Sequence, residues 1–322
     1  MVHPILSFFC TACADFWPAN ACVSAHVETM KVMKRSPVLA TVLVLVVSGA
    51  CGAKDETKPG ELAAVAPTEF GGERPVTLRL PDAFDPSVSH PLLVMVHGFQ
   101  SSGLVEETYL KLSATASERG YLYLTPDGTF NEDGARYWND WPGGHGGSTV
   151  DDVGYLAKLI ADVRAAYNVD PKRIGIIGHS NGGAMTHRLA CELSGELAAV
   201  AVFAGYMPVD VASICKPTSP LHVLQLHGDM DPAVPYEASE SSLGARGCVA
   251  YWAKHDGCTG TEERPPLDLV ANLAGAETTV LEHNGCTAAS ADLWTMVGAG
   301  HVPGFSPNFA KNLFDYFDAH TK

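Results

Sequence analysis

Positive charge is scarce in this chain: 21 lysines and arginines stand against 36 aspartates and glutamates, a formal net charge of −15. So acidic a surface repels phosphate backbones, which argues against nucleic acid as a partner and against docking on anionic lipid through basic residues. The apolar run VLATVLVLVV (Val38–Val47) is too short to span a bilayer comfortably. Beyond Cys51 there are five cysteines (Cys191, Cys215, Cys248, Cys258 and Cys286), and no two have the close spacing of a zinc site. No internal repeat is visible either. What is present is ordinary globular composition, 46% apolar and 18% charged over 322 residues, enough for one large α/β domain or two small ones.

The N-terminal residues 1–51 read as an export-signal region. Met30-Lys31-Val32-Met33-Lys34-Arg35 is a basic start, Val38–Val47 a short apolar core, and Ser48-Gly49-Ala50-Cys51 a run of small residues before a cysteine. Translation from Met30 or Met33 fits this pattern better than a start at Met1. The small residues resemble a bacterial lipoprotein signal, which would lipidate Cys51 and attach the chain to a membrane. Serine rather than leucine three residues before Cys51 departs from that signal, so plain secretion remains the other expectation. Residues 52–70 read as a polar tether, and residues 71–322 as the folded domain. In an exported protein five cysteines suggest two disulfides and one thiol left over. The favoured pairs are Cys191–Cys215 and Cys258–Cys286, each closing a loop worth roughly 3.5 kcal/mol. Cys248 is then unpaired, with Cys248–Cys258 as the alternative.

From about Phe70 the chain alternates short apolar runs with helical patterns, which predicts a mostly parallel sheet with helices on both faces. Pro75–Leu80 alternates like an edge strand, whereas Pro91–Gly98 is continuously apolar, like a strand covered on both sides. Further strands are expected at Tyr121–Gly128, around Arg173–Ser180, at Leu197–Gly205, at Leu221–Gly228 and from Ala291. Helices are expected after Thr149 or Asp151, either of which would cap the first turn, and over Asn181 to Glu192, Leu243–His255 and Ser306–His320. The segment after His255, rich in Gly, Pro and Thr, reads as a loop. About fifteen residues separate the strands at 197–205 and 221–228, too few for a separate lid domain, so an open cleft is expected.

Gly178-His179-Ser180-Asn181-Gly182 falls between a strand and a helix. A G-x-S-x-G in that setting is the nucleophile turn of the α/β-hydrolase fold, where a strained serine is held up at the sheet edge. The alternative is a glycine-rich turn that only lets the helix pack. A serine hydroxyl needs a base to take its proton and an acid to orient that base, in the chain order Ser, Asp, His. Asp231 in LQLHGDMDPAVPY and His301 in TMVGAGHVPGF each follow a strand and supply them; Asp229 is expected to cap the local turn instead. The backbone N–H groups of Asn181 and Phe99 are the expected oxyanion donors, with His97 structural. Trp138, Trp141, Tyr206 and Tyr236 fall on loops at the carboxyl ends of strands and are candidate substrate-stacking walls, with ordinary loop packing as the alternative. Pro142–Ser148 reads as a flexible segment beside them. This chemistry requires no metal or organic cofactor.

HGFQSSG, PDGTF…YWNDW, VDDVGYLAKLI, VDPKRIGIIGHSNGGAMTHRLACE and LQLHGDMDPAVPY occur in the order seen in the secreted bacterial poly(3-hydroxybutyrate) depolymerase and feruloyl esterase family, which the chain resembles from about Gly71 to His320. The resemblance implies Ser180 as nucleophile, Asp231 as acid and His301 as base, and supports the two favoured disulfides. Gly300-His301-Val302-Pro303-Gly304 departs from the family's GHxWPG pattern, being one residue shorter and lacking the tryptophan. The polyester name is therefore a family label and not a substrate. The expected activity is that of a secreted serine carboxylic-ester hydrolase acting on bulky or polymeric esters, either polyhydroxyalkanoates or feruloyl and acetyl polysaccharide esters. An acyltransferase using the same three residues and a non-catalytic envelope lipoprotein are the alternatives. Oligomeric state is not legible.

Overall fold

Continuous runs of branched and leucine side chains fill the middle of an eight-stranded sheet. In the computed structural model, which describes residues 66–144 and 147–322, its strands are β1 (His90–Val96), β2 (Leu122–Leu124), β3 (Val169–His179), β4 (Ala199–Phe203), β5 (His222–Gly228), β6 (Gly260–Leu267), β7 (Thr278–Asn284) and β8 (Ala291–Met296). Their spatial order is β6-β7-β8-β5-β4-β3-β1-β2. The six strands from β8 to β2 pair in parallel, and β6 and β7 add an antiparallel extension. Every residue of β1 and β4 is buried, as doubly covered strands require.

Alternation along each strand divides the core. Leu92, Val94 and Val96 face one layer with helices α2 (Asp152–Ala166), α3 (Asn181–Glu192) and α4 (Gly244–His255). Leu93 and Met95 face the other, with α1 (Gly103–Leu110) and α5 (Asn308–Ala319). This is the α/β-hydrolase arrangement, and the catalytic side chains expected from the sequence fall where its parallel strands end.

Several local expectations need correction. Pro75–Leu80 is not a strand of the large sheet: Val76–Thr77 pairs with Glu69–Phe70 in a small ribbon, and Arg79 reaches the sheet by a single antiparallel bridge to Tyr123. The tether does not extend to residue 70. Phe70 is buried against the core, and the Tyr167 hydroxyl donates to the Pro67 carbonyl at 3.0 Å, so this stretch is bound to the domain. The segment after His255 forms β6 and β7 rather than a loop. β6 is an exposed edge strand carrying Pro265 and Pro266 beside a register shift, where a missing N–H is tolerated. Asp151, not Thr149, caps α2 by accepting from the Gly154 N–H at 2.8 Å.

Cys191 is bonded to Cys215 and Cys258 to Cys286, while Cys248 is a buried free thiol inside α4. The Cys248–Cys258 alternative is thereby replaced. The expected export-signal region, Cys51, most of the expected tether, and residues 145–146 of the Pro142–Ser148 segment lie outside the described residues. Among the described residues no helix is long and apolar enough to cross a membrane.

Candidate active site

Ser180 stands between β3 and α3 in a conformation that serine rarely adopts, with φ of 57° and ψ of −118°. Holding a non-glycine residue there costs on the order of 1–3 kcal/mol, which the surrounding packing must offset. Two glycines make the turn possible. A Cβ on Gly178 would lie 2.1 Å from the Gly182 carbonyl oxygen, and one on Gly182 would lie 2.2 Å from the Val96 carbonyl oxygen, so strand and helix can approach only if both positions lack a side chain. Although Ser180 occupies the N-cap of α3, its hydroxyl makes no capping bond.

That hydroxyl points instead at His301, whose Nε2 lies 2.9 Å from the Ser180 Oγ. The opposite ring nitrogen, Nδ1, is 2.7 Å from Asp231 Oδ2. An ionised carboxylate only accepts, so Nδ1 carries the proton and Nε2 is left as the acceptor for the serine O–H. Asp231 Oδ1 accepts from the backbone amides of Ala233 and Val234 at 2.8 and 2.9 Å. Burial alone would raise the Asp231 carboxyl, but hydrogen bonds from His227, His301 and these two amides outweigh it and hold it well below the usual carboxylate range. The structure thus brings together Ser180, Asp231 and His301 from three separate strand ends. Asp229 lies outside this line; its Oδ1 accepts from the Gly298 N–H at 2.6 Å, fixing the turn after β8 that leads to His301.

The expected oxyanion loop lies against the serine. A Cβ on Gly98, the residue before Phe99, would be only 3.4 Å from the Ser180 Cβ. Asn181 is the first residue of α3, at the positive end of the helix. Its side chain ties the helix start to the next loop, accepting from the Trp138 N–H at 2.8 Å and donating to the Trp138 carbonyl and Asp140. Burial pushes the His97 imidazole down. Its Nε2 accepts from the Gly128 amide at 2.9 Å and its Nδ1–H donates to the Gly98 carbonyl at 2.7 Å, a structural use that stiffens the turn.

Glu106, in α1, carried no recognised sequence signal. Its carboxylate, 3% exposed, accepts from the Gly98 N–H at 3.2 Å, from the Ser101 hydroxyl and from His179 Nδ1 at 2.9 Å. Burial works against its charge, yet these bonds bring its carboxyl below the ordinary value. The His179 ring stacks on Phe203 and its Nε2 reaches the His301 carbonyl at 3.3 Å. One buried carboxylate therefore ties together the loop before Phe99 and the residue preceding Ser180.

The expected substrate walls are largely corrected. Trp138, Trp141 and Tyr236 are buried, and their polar atoms are committed within the protein: the Trp138 indole to the His97 carbonyl, the Trp141 indole to the Tyr206 carbonyl, and the Tyr236 hydroxyl to Thr295. They brace loops and present no open face to a ligand. Tyr206 is half-buried, its hydroxyl 3.4 Å from Asp140. The exposed apolar side chains beside the triad are different ones: Phe99 at 41%, Met230 at 69% and Val302 at 62% exposure. Neither a groove of about 580 Å³ lined by Tyr109, Phe305 and Phe309 among others, nor one of about 610 Å³ between the N-terminal ribbon and α2, contains a triad residue, although the first includes Gly304, three residues beyond His301.

Residues 148–245 match the Phospholipase/Carboxylesterase family. The chain is 28% identical over 242 residues to feruloyl esterase B of Piromyces equi, an alignment covering 72% of this chain and 43% of that protein. It is 23% identical over 289 residues to feruloyl esterase D of Neurospora crassa, covering 84% of this chain and 89% of that one. The match thus spans less than half the length of the Piromyces relative. Among solved structures, the acetyl xylan esterase from Aspergillus awamori superposes with a TM-score of 0.58 at 15% identity, covering 76% of this chain and 93% of that one. Sheet order, the strained strand–turn–helix at Ser180 and these similarities show that the chain has the α/β-hydrolase fold.

Proposed function

We propose that the protein is a serine-type carboxylic ester hydrolase that acts on bulky esters through Ser180, His301 and Asp231. The observation that carries this reading is the unbroken line from the Ser180 hydroxyl to His301 Nε2 and from His301 Nδ1 to Asp231, at 2.9 and 2.7 Å. Ser180 attacks the ester carbonyl while His301 takes its proton, and the amides of Phe99 and Asn181 receive the oxyanion. His301 then protonates the leaving alcohol, and water repeats the sequence to release the acid. Asp231, ionised and fixed on both oxygens, holds the productive tautomer of the imidazole and stabilises its cation.

Similarity to two feruloyl esterases favours feruloyl esters over polyesters as the substrate class. The exposed Phe99, Met230 and Val302, each adjoining a reacting residue or its loop, supply an apolar rim suited to an acyl group with a large flat face. Two disulfides fit an oxidising, extracellular location. The test is hydrolysis of methyl ferulate, aryl acetates of graded chain length and a polyester film, each with a competing alcohol present. Free acid is the expected product, and Ser180→Ala should lower turnover by about 10⁶-fold. Ester transfer to the alcohol in preference to water would replace hydrolase by acyltransferase, and undiminished turnover by Ser180→Ala would remove the assignment.

A further inference from the structure

Behind the triad lies a second set of polar groups, all in the protein interior. Gln225 and His227 are two residues apart on β5, so both side chains leave the same face of the sheet, the face covered by α3 and α4. Gln225, His227, His187 on α3 and Trp252 on α4 have no solvent exposure. Buried polar groups of this kind must find partners within the protein, and here every partner is identifiable.

The direction of each hydrogen bond follows from chemistry at both ends. An indole N–H can only donate, so the contact of Trp252 Nε1 with His187 Nδ1 at 3.2 Å makes Nδ1 an acceptor. The His187 proton is therefore on Nε2, which donates to Gln225 Oε1 at 3.0 Å. Burial pushes the His187 imidazole down to about 3, consistent with a neutral ring. The Gln225 amide then has two hydrogens to place. One goes to the Gly205 carbonyl at 3.0 Å and the other to His227 Nδ1 at 3.1 Å. With Nδ1 accepting, His227 carries its proton on Nε2, which faces two acceptors: the Val234 carbonyl at 2.9 Å and Asp231 Oδ2 at 3.3 Å. No other arrangement of protons satisfies all these groups at once.

We propose that His227 is a positioning residue for the triad, locking Asp231 through a one-way chain of buried hydrogen bonds that starts at Trp252 and passes through His187 and Gln225. This rests on the proposed esterase reading, because its consequence is catalytic. Asp231 receives donors on both oxygens: two amides on Oδ1, and His301 together with His227 on Oδ2. With four donors in place the carboxylate cannot rotate away or take up a proton cheaply, so the His301 tautomer is set before substrate arrives. Val234 O ties the same His227 proton to the loop that supplies one of the two amides, coupling the orientation of the ring to that of the carboxylate.

His227→Phe keeps the ring's bulk and removes the donor. It should lower kcat by about tenfold or more, the scale of one hydrogen bond to a charged group, with KM unchanged. His227→Gln places an amide N–H near the position of Nε2 and should recover most of that loss. A folded His227→Phe with wild-type kcat, or a His227→Gln no better than His227→Phe, would overturn the proposal. Should His227→Phe fail to fold, the wild-type protein labelled with ¹⁵N-histidine still decides it. His187 and His227 should both appear as neutral Nε2–H tautomers; an Nδ1–H tautomer at either ring breaks the chain. Reaction of Ser180 in the wild-type protein with a fluorophosphonate, measured on the same sample, separates failure of the positioning role from failure of the esterase reading.

Discussion

Ser180 and Asp231, which meet through His301, each carry a cost that folding alone does not explain. The serine is held at a φ of 57°, its hydroxyl is diverted from the helix it caps, and a carboxylate is buried where burial opposes its charge. Strain on one side chain and desolvation of another, joined through a single imidazole, are the physical mark of a site kept for chemistry. Asp231→Asn tests the acid's role. The amide would donate to His301 Nδ1, reverse the imidazole tautomer and leave no acceptor for the serine proton, so kcat should fall by about 10⁴-fold with KM little changed. A drop of only a few-fold would transfer the orienting role to another carboxylate. These three residues were legible because each sits in a glycine-containing turn directly after an apolar strand. His227 was not singled out from the sequence, because two polar residues at alternate positions of an otherwise apolar strand show their use only once the partners on α3 and α4 are in place. Glu106 was not legible, since its role comes from the packing of α1 beneath the oxyanion loop and leaves no trace in local sequence.

At the scale of elements, most strands and helices that bury an apolar face were readable, whereas α1, whose buried positions include Glu106 and Glu107, and the exposed β6 were not. α3 was read over its observed span because the nucleophile turn fixes its start. The pair β6 and β7 was missed, since β6 is exposed along nearly its whole length and has no apolar alternation. Cross-strand pairing holds it instead, for example the Arg264–Glu282 ion pair at 2.6 Å, together with the Cys258–Cys286 bond that staples the end of α4 to the end of β7. Exposed ion pairs of this type contribute little, so the disulfide should dominate. Replacing both cysteines by alanine is expected to lower stability by about 3.5 kcal/mol, the loop-closure value for a 28-residue separation. Hydrogen exchange should quicken across Gly260–Asn284 while the amides of β3 and β4 stay protected. Uniform acceleration across the sheet would contradict this local role. The misplaced aromatic walls teach the complementary lesson: Trp138 and Trp141 fall on loops in sequence, yet tertiary packing turns both inward, where their indole N–H groups fasten neighbouring carbonyls.

The whole molecule combines an acidic surface with a few acids that are buried for other reasons. Asp292 on β8 is 2% exposed; burial pushes its carboxyl up to about 7, and its Oδ1 has no hydrogen-bond partner among the described residues. A group protonated in the folded state but ionised in the unfolded chain destabilises the fold as pH rises. The loss begins near the unfolded value of about 4 and is complete above the folded value. Asp292→Asn should therefore stabilise the protein above pH 7 by on the order of 2 kcal/mol and change little near pH 4. Denaturant unfolding at both pH values measures it, and an equal effect at the two would show that ionisation is not the cause. Cys248, its thiol pushed up to about 12 by burial, is not a competitor to Ser180, the proposed nucleophile. Peptide mapping after treatment with a fluorophosphonate tests that assignment most directly. One covalent adduct on the peptide containing Ser180 is expected, with adduct and ester hydrolysis disappearing together in Ser180→Ala. An adduct on another residue, or hydrolysis that survives the substitution, would contradict the account.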